Sequence, residues 1–167
     1  MAPPRVLITA AAANLLRSLG ERHGPVMFHQ SGGCCDGSSP MCYPDGEFIV
    51  GDRDVLLGVL LGAPVWISGP QFQTWKHTQL VIDVVPGRGG GFSLEAPDGV
   101  RFLSRGRAFT DAELVLLADR PPLTGADYEQ GARYPEEPVE VVEVVDGVVD
   151  ACQIPGRHAD AGPRRTG

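Results

Sequence analysis

The sequence predicts an α+β fold, a small mixed or antiparallel β-sheet domain with one N-terminal and one C-terminal helix. Three observations carry that expectation. Helical patterns begin at Thr9 and at Thr110, at opposite ends of residues 1–118. Between them lie about six or seven short apolar runs punctuated by glycine and proline. No repeated strand–helix–strand alternation of the kind that builds a parallel doubly wound sheet is visible.

The elements follow in order. Residues 9–20 read TAAAANLLRSLG, in which Thr9 can cap a helix, the alanines favour it and Gly20 can close it. Leu15, Leu16 and Leu19 supply its apolar stripe. Residues 25–31 form a strand that runs straight into Gly32 and Gly33. Residues 47–50 read as a further strand, and 54–61 as a strand or a short helix. Residues 64–68 are strand-like, Gly69-Pro70 breaks them, and 71–76 fit a single helical turn. Residues 78–85 are β-branched and bounded by Pro86-Gly87, the strongest strand pattern in the chain. Strands at 92–95 and 100–103 are expected to flank an Ala-Pro-Asp-Gly turn. Thr110, followed by Asp111 and Glu113, starts the second helix, through Ala118.

Charge divides the chain. Residues 1–110 carry nine basic and nine acidic groups, whereas 111–150 carry 11 acidic and two basic. Residues 1–118 are therefore read as the folded unit, and 119–167 as an acidic, proline-containing extension, extended or weakly ordered. Within it, the valines of 139–149 around Asp146-Gly147 fit a hairpin. A net charge of −7 argues against an electrostatically driven nucleic-acid binder. No apolar run reaches the length of a membrane span, and the N-terminus lacks a signal-peptide pattern. A cytoplasmic protein with no membrane or nucleic-acid partner is the expectation.

The chemistry-bearing stretch is residues 29–43, HQSGGCCDGSSPMCY, which holds three of the four cysteines on a glycine-rich loop. Thiolates presented this way are soft donors for zinc, copper(I) or an iron–sulfur cluster. In a cytosolic setting such clustering favours metal or redox work over a disulfide. Adjacent side chains diverge, so Cys34 and Cys35 do not share an ion readily, and either paired with Cys42 is the better combination. His29 and His77 are candidate further ligands. Lys76, the sole lysine, and Arg88, in the glycine-rich turn 86–92, are candidate anion or substrate contacts. That turn lacks the Lys-Ser/Thr of a phosphate loop, and no Gly-x-Ser-x-Gly elbow supports hydrolase chemistry.

Residues 29–48 and 65–105, with their Gly-Gly-Cys-Cys-Asp-Gly-Ser and Trp-Lys-His-Thr-Gln blocks, resemble the bacterial domain-of-unknown-function family 779. The likeness spans roughly residues 5–118 and implies an accessory role beside NAD-dependent aldehyde dehydrogenases. More distantly, Thr9 to Ala13, Gly32-Gly33-Cys34, Val81-Ile82-Asp83 and Gly91 to Pro97 are similar to the HesB-like A-type carriers of iron–sulfur assembly. That likeness implies a HesB-like fold and places Cys34 at a cluster-binding position. The carriers add a C-terminal Cys-Gly-Cys, where this chain has Asp98-Gly-Val-Arg-Phe102; Cys35 and Cys42 are the substitutes on the same loop.

The expectation is a small metal- or iron–sulfur-binding accessory protein, serving an aldehyde or alcohol dehydrogenase pathway. Its ligands would come from Cys34, Cys35, Cys42, His29 and His77, with a homo-oligomer pooling the few donors of one chain. Two alternatives differ in class. One uses Cys34 or Cys35 as a redox thiol or nucleophile. The other docks on the dehydrogenase without catalysis, through exposed Phe72 and Trp75.

Overall fold

A computed structural model describes residues 2–30, 40–88, 92–134, 141–142, 144–145 and 148–149. The chain opens with strand β1 (Val6–Thr9), whose four residues are all buried. It passes directly into helix α1 (Ala10–His23), where Thr9 Oγ1 accepts a hydrogen bond from Ala12 N at 3.3 Å. The expected cap is therefore in place. The helix runs past Gly20 because Glu21, Arg22 and His23 continue it, and Gly24 stops it in the left-handed region at φ 78°. Arg22 and His23 then face the partial negative charge of the helix end.

Strands β2 (Val26–Gln30), β3 (Met41–Pro44), β4 (Val55–Leu60) and β5 (Ala63–Ile67) follow. Helix α2 (Gly69–Trp75) starts behind Ser68, with Pro70 in its first turn. The long strands β6 (Thr78–Pro86) and β7 (Val100–Ala108) are joined through a 3₁₀ turn at Ala96–Asp98 and pair antiparallel along their whole length. Helix α3 (Asp111–Ala118) carries the reciprocal Thr110/Glu113 capping box. Arg107 ties it to β7, donating from both terminal nitrogens to the Glu113 carboxylate at 3.0 Å each.

Past residue 118 the chain adds β8 (Leu123–Thr124), α4 (Gly125–Glu129), β9 (Val141–Val142) and the short strands β10 (Val144–Val145) and β11 (Val148–Val149). β8 pairs antiparallel with β4, and β9 pairs parallel with β1. The antiparallel pairing of β10 with β11 is the hairpin expected around Asp146-Gly147, two residues outside the described set. The fold is α+β; α2 stands where a helical turn is expected at 71–76, and α4 is a helix with no counterpart in the sequence reading.

Two mixed sheets result, in the orders β7-β6-β1-β9 and β3-β2-β5-β4-β8. Their facing sides and one side of α1 close a single main core, with Ile8, Leu16, Phe28, Val65, Ile82 and Phe102 at its centre. Phe28 and Phe102 meet edge to face across it, their centroids 4.9 Å apart. The outer side of the β2-containing sheet has a second cluster, Met27, Leu56 and Trp66, covered by Phe48, Leu123, Tyr128 and Tyr134 among others. Tyr134 donates its hydroxyl to Leu56 O at 2.8 Å. Gly125 sits so tightly on this cover that a Cβ there would lie 2.1 Å from Gly51 O.

Two expected strands are absent. Residues 47–50 are irregular because the chain turns at 45–47, with Gly46 at φ 91° and Glu47 N donating to Pro44 O at 3.1 Å. Residues 92–95 turn instead of extending, since Leu94 N donates to Cys42 O at 3.0 Å and Ser93 and Glu95 point their polar groups inward. Within residues 1–118, two unexpected strands replace them. β1 is only four residues long and merges into the α1 cap. β3 lies within the cysteine-bearing segment and ends in Pro44, which an edge strand tolerates.

Candidate functional site

Strand β2 distributes its side chains to two faces. Val26 and Phe28 enter the main core, while Met27 joins the outer cluster. His29 follows on the outer face, where its ring packs 4.4 Å from that of Phe48, itself stacked on Tyr43 at 4.9 Å. The ring is almost wholly buried, with 4% of its side chain exposed.

Opposite His29 stands Asp54, at the head of β4. His29 Nε2 lies 3.0 Å from Asp54 Oδ2, and that same oxygen accepts from Gly51 N at 3.0 Å. The turn is closed by Asp54 N donating to Gly51 O at 3.0 Å, so the carboxylate is fixed before it meets the histidine. An ionised carboxylate only accepts, so Nε2 carries the proton and Nδ1 of the neutral ring keeps a lone pair. Nδ1 is buried and has no hydrogen-bond partner among the described residues. Leaving such an atom unpaired costs about 1–3 kcal/mol. An oriented imidazole with a free nitrogen suits metal ligation or proton abstraction.

Cys42 occupies the other side of the same sheet. It pairs with Phe28 in the β2–β3 register and is wholly buried in the main core. Burial, with the Glu95 carboxylate adding to it, pushes its thiol pKa far up, so the sulfur stays protonated. Around it runs a closed polar chain. Cys42 N donates to Ser93 Oγ at 2.9 Å, Ser93 Oγ donates to Glu95, and Phe102 N donates to Glu95 Oε1 at 3.3 Å. Ser104 Oγ donates to Gln30 Oε1 at 2.9 Å in the same interior. The backbone of β2 and β3 therefore separates Cys42 from His29, and the two do not converge on one point.

The remaining candidates are dispersed. His77 is exposed in the turn before β6, in the other sheet, where its carbonyl accepts from Phe109 N at 2.9 Å. Lys76 is exposed and donates to Gln73 Oε1 at 3.3 Å; Arg88 is exposed beyond the end of β6. Cys34 and Cys35 lie outside the described residues. Among the described residues, no group of three or more His, Cys, Asp or Glu is placed to hold a metal ion. The expected docking aromatics need correction. Trp75 is only 5% exposed and belongs to the main core, where Phe72 packs against it partly buried. A short helix seated on the core turns these rings inward.

Asp54 was absent from the sequence-based candidates. Its only local signal is the Gly51-Asp-Arg-Asp54 turn, and nothing in that tetrapeptide reports a histidine 25 residues upstream.

A family model described as a domain of unknown function, DUF779, matches residues 15–108. The chain belongs to the DUF779 family. The match runs from within α1 to the end of β7 and contains His29, Asp54 and all three loop cysteines. β1, α3 and everything after α3 lie outside the DUF779 segment. No curated protein matched the chain. No helix among the described residues is long and apolar enough to cross a membrane.

Proposed function

We propose that this DUF779 protein is a small metal- or iron–sulfur-binding accessory protein, with His29 Nδ1 and the thiol of Cys34 or Cys35 as its donors. The observation that supports the reading is the buried His29 ring, fixed through Nε2 on Asp54 and left with a free nitrogen, at the end of the strand that leads into the cysteine loop. Histidine ligands commonly pass their second N–H to a carboxylate, which sets the tautomer and raises the basicity of the ligating nitrogen. Asp54 has that relation to His29. Cys42, protonated in the core, is left out of the donor set. One chain then offers few ligands, which favours a site completed by a second copy or by a client protein. A zinc, copper or iron centre would supply Lewis-acid or electron-transfer chemistry there. The dehydrogenase implied by the family resemblance is the proposed client.

The test is anaerobic purification followed by elemental analysis and an absorption spectrum of the wild type, Cys34→Ser and His29→Ala. Stoichiometric metal in the wild type, lost in both variants, is the expected result. A metal-free wild type with no affinity for added zinc, copper(I) or iron would overturn it. The same dyad also supports a second reading, in which His29 Nδ1 takes the proton of a loop thiol and Asp54 holds the ring. In that case wild-type Cys34 or Cys35 would alkylate at pH 6–7 much faster than free cysteine. His29→Ala would remove the advantage.

A further inference from the structure

A groove of about 550 Å³ runs between the second half of α1 and the β4–β5 turn, and neither His29 nor Asp54 lines it. Leu16, Val26 and Leu61 give it an apolar floor, with Arg17 and Glu21 on its rim. One residue of this groove carries a cost that the fold does not explain. Gly20 lies inside α1, where glycine is among the poorest helix formers. Its φ is not positive, so no left-handed conformation requires it. A Cβ built there meets nothing within 4 Å, so no close neighbour requires it either. Across the groove, Leu61 is the one non-glycine residue among those described at positive φ, 51°. With Gly62 at φ 82° it makes a two-residue hairpin turn, where asparagine or glycine causes less strain. Leucine keeps an apolar side chain there, packed partly on the main core and partly lining the groove.

We propose that this groove is the interface between two copies of the chain, with their α1 helices crossing antiparallel at Gly20. A glycine in a helix lets a second backbone come close, and the open space beside Gly20 is what that approach needs. Charge complementarity identifies the occupant as a second copy. Arg17 and Glu21 are exposed one turn apart on α1, and among the described residues they form no ion pair with each other or with any other group. Arg17 donates to the neutral Asn14 Oδ1 at 3.1 Å. In an antiparallel crossing, Arg17 of each copy faces Glu21 of the other, so a two-fold axis makes the same ion pair twice. Opposed α1 axes also set their helix dipoles favourably side by side. Leu61 and the Gly20 backbone then lie at the apolar centre, and the two ion pairs form the rim.

The experiment is sedimentation velocity of the full chain over a concentration series reaching the high micromolar range. A reversible dimer is expected. Gly20→Leu fills open space and favours the helix, so thermal stability should hold or rise while association weakens at least about tenfold. Arg17→Glu and Glu21→Arg should each weaken it comparably, since each sets like charges across the axis. An equimolar mixture of these two variants should dimerise again, because each supplies the charge that the other now lacks. A structural role within one chain would give no such rescue. A wild type that is monomeric throughout the series would overturn the assignment. So would a dimer that all three variants leave equally strong, or a mixture as weak as its components. A monomeric wild type that carries a small molecule in native mass spectrometry, lost in Gly20→Leu, would overturn it in favour of a small ligand.

Discussion

The two faces of the β2–β3 hairpin treat polar groups in opposite ways. On the inner face, Cys42, Ser93, Glu95 and Phe102 form a chain of hydrogen bonds that passes from backbone to side chain to backbone. On the outer face, one residue past the Phe28 that pairs with Cys42, His29 is anchored at Nε2 and unpaired at Nδ1 among the described residues. Folding has no use for an oriented ring with a vacant acceptor, whereas the inner chain is what a polar interior needs. The inner face is therefore architecture, and the outer face carries the donor we propose for a metal. Stability and function should separate between them on mutation.

The largest effect is expected for Glu95→Ala, which strips partners from Ser93 and Phe102 in a sealed interior. We expect a loss of about 3 kcal/mol or more, read as a fall in the urea midpoint. Metal content per folded molecule should be unchanged. His29→Phe supplies the contrast. It keeps the packing on Phe48 and removes the orphaned nitrogen together with the Nε2 bond to Asp54, so a stability loss of about 1–2 kcal/mol, smaller than that of Glu95→Ala, should accompany abolished metal binding. A strongly destabilised His29→Phe would end the distinction between the faces. Asp54→Asn should lie between the two, weakening metal affinity about 10–100-fold through loss of ring orientation.

Cys42 gives the comparison a pH axis. Its thiol pKa is raised in the fold by burial, so its contribution is fully present below the unfolded thiol value of about 8.5. It is lost as pH rises above that value, because only the unfolded chain then ionises. Wild type should therefore lose stability towards alkaline pH more steeply than Cys42→Ala, by denaturant titration at pH 7 and pH 10. The smallest effect belongs to the exposed Arg22–Asp98 pair, 2.7 Å apart. The hydrogen bond from Arg22 lowers the Asp98 pKa, so the pair helps above the ordinary carboxylate range and is lost as pH falls through the depressed value. Added salt should erase what it contributes.

What the sequence disclosed was local. Thr9 and Thr110 announced their helices, because a cap is chemistry between residues three apart. The β-branched run at 78–85 announced β6 for the same reason. Residues 92–95 misled, since their conformation answers to the carbonyl of Cys42 some 50 residues earlier in the chain. The site shows the same limit. His29 and Cys42 stood out by type and spacing, and only the strand register shows that they point to opposite faces. Asp54 stayed silent because its role is defined by a partner 25 positions away.

The close seat of Gly125 has a practical meaning for anyone trimming the chain. Gly125 N donates to Asp54 O at 2.8 Å, and Ala126 N to Asp52 O at 3.2 Å, so the start of α4 is a clamp on the turn that presents Asp54. Only a residue without a side chain can close that clamp, since any Cβ would strike Gly51 O. A chain shortened to residues 15–108 keeps both members of the dyad and discards the part that holds one of them still. It also discards β1, which lies between β6 and β9 in its sheet. The segment that matches the family model is therefore smaller than the structure that holds Asp54 in place.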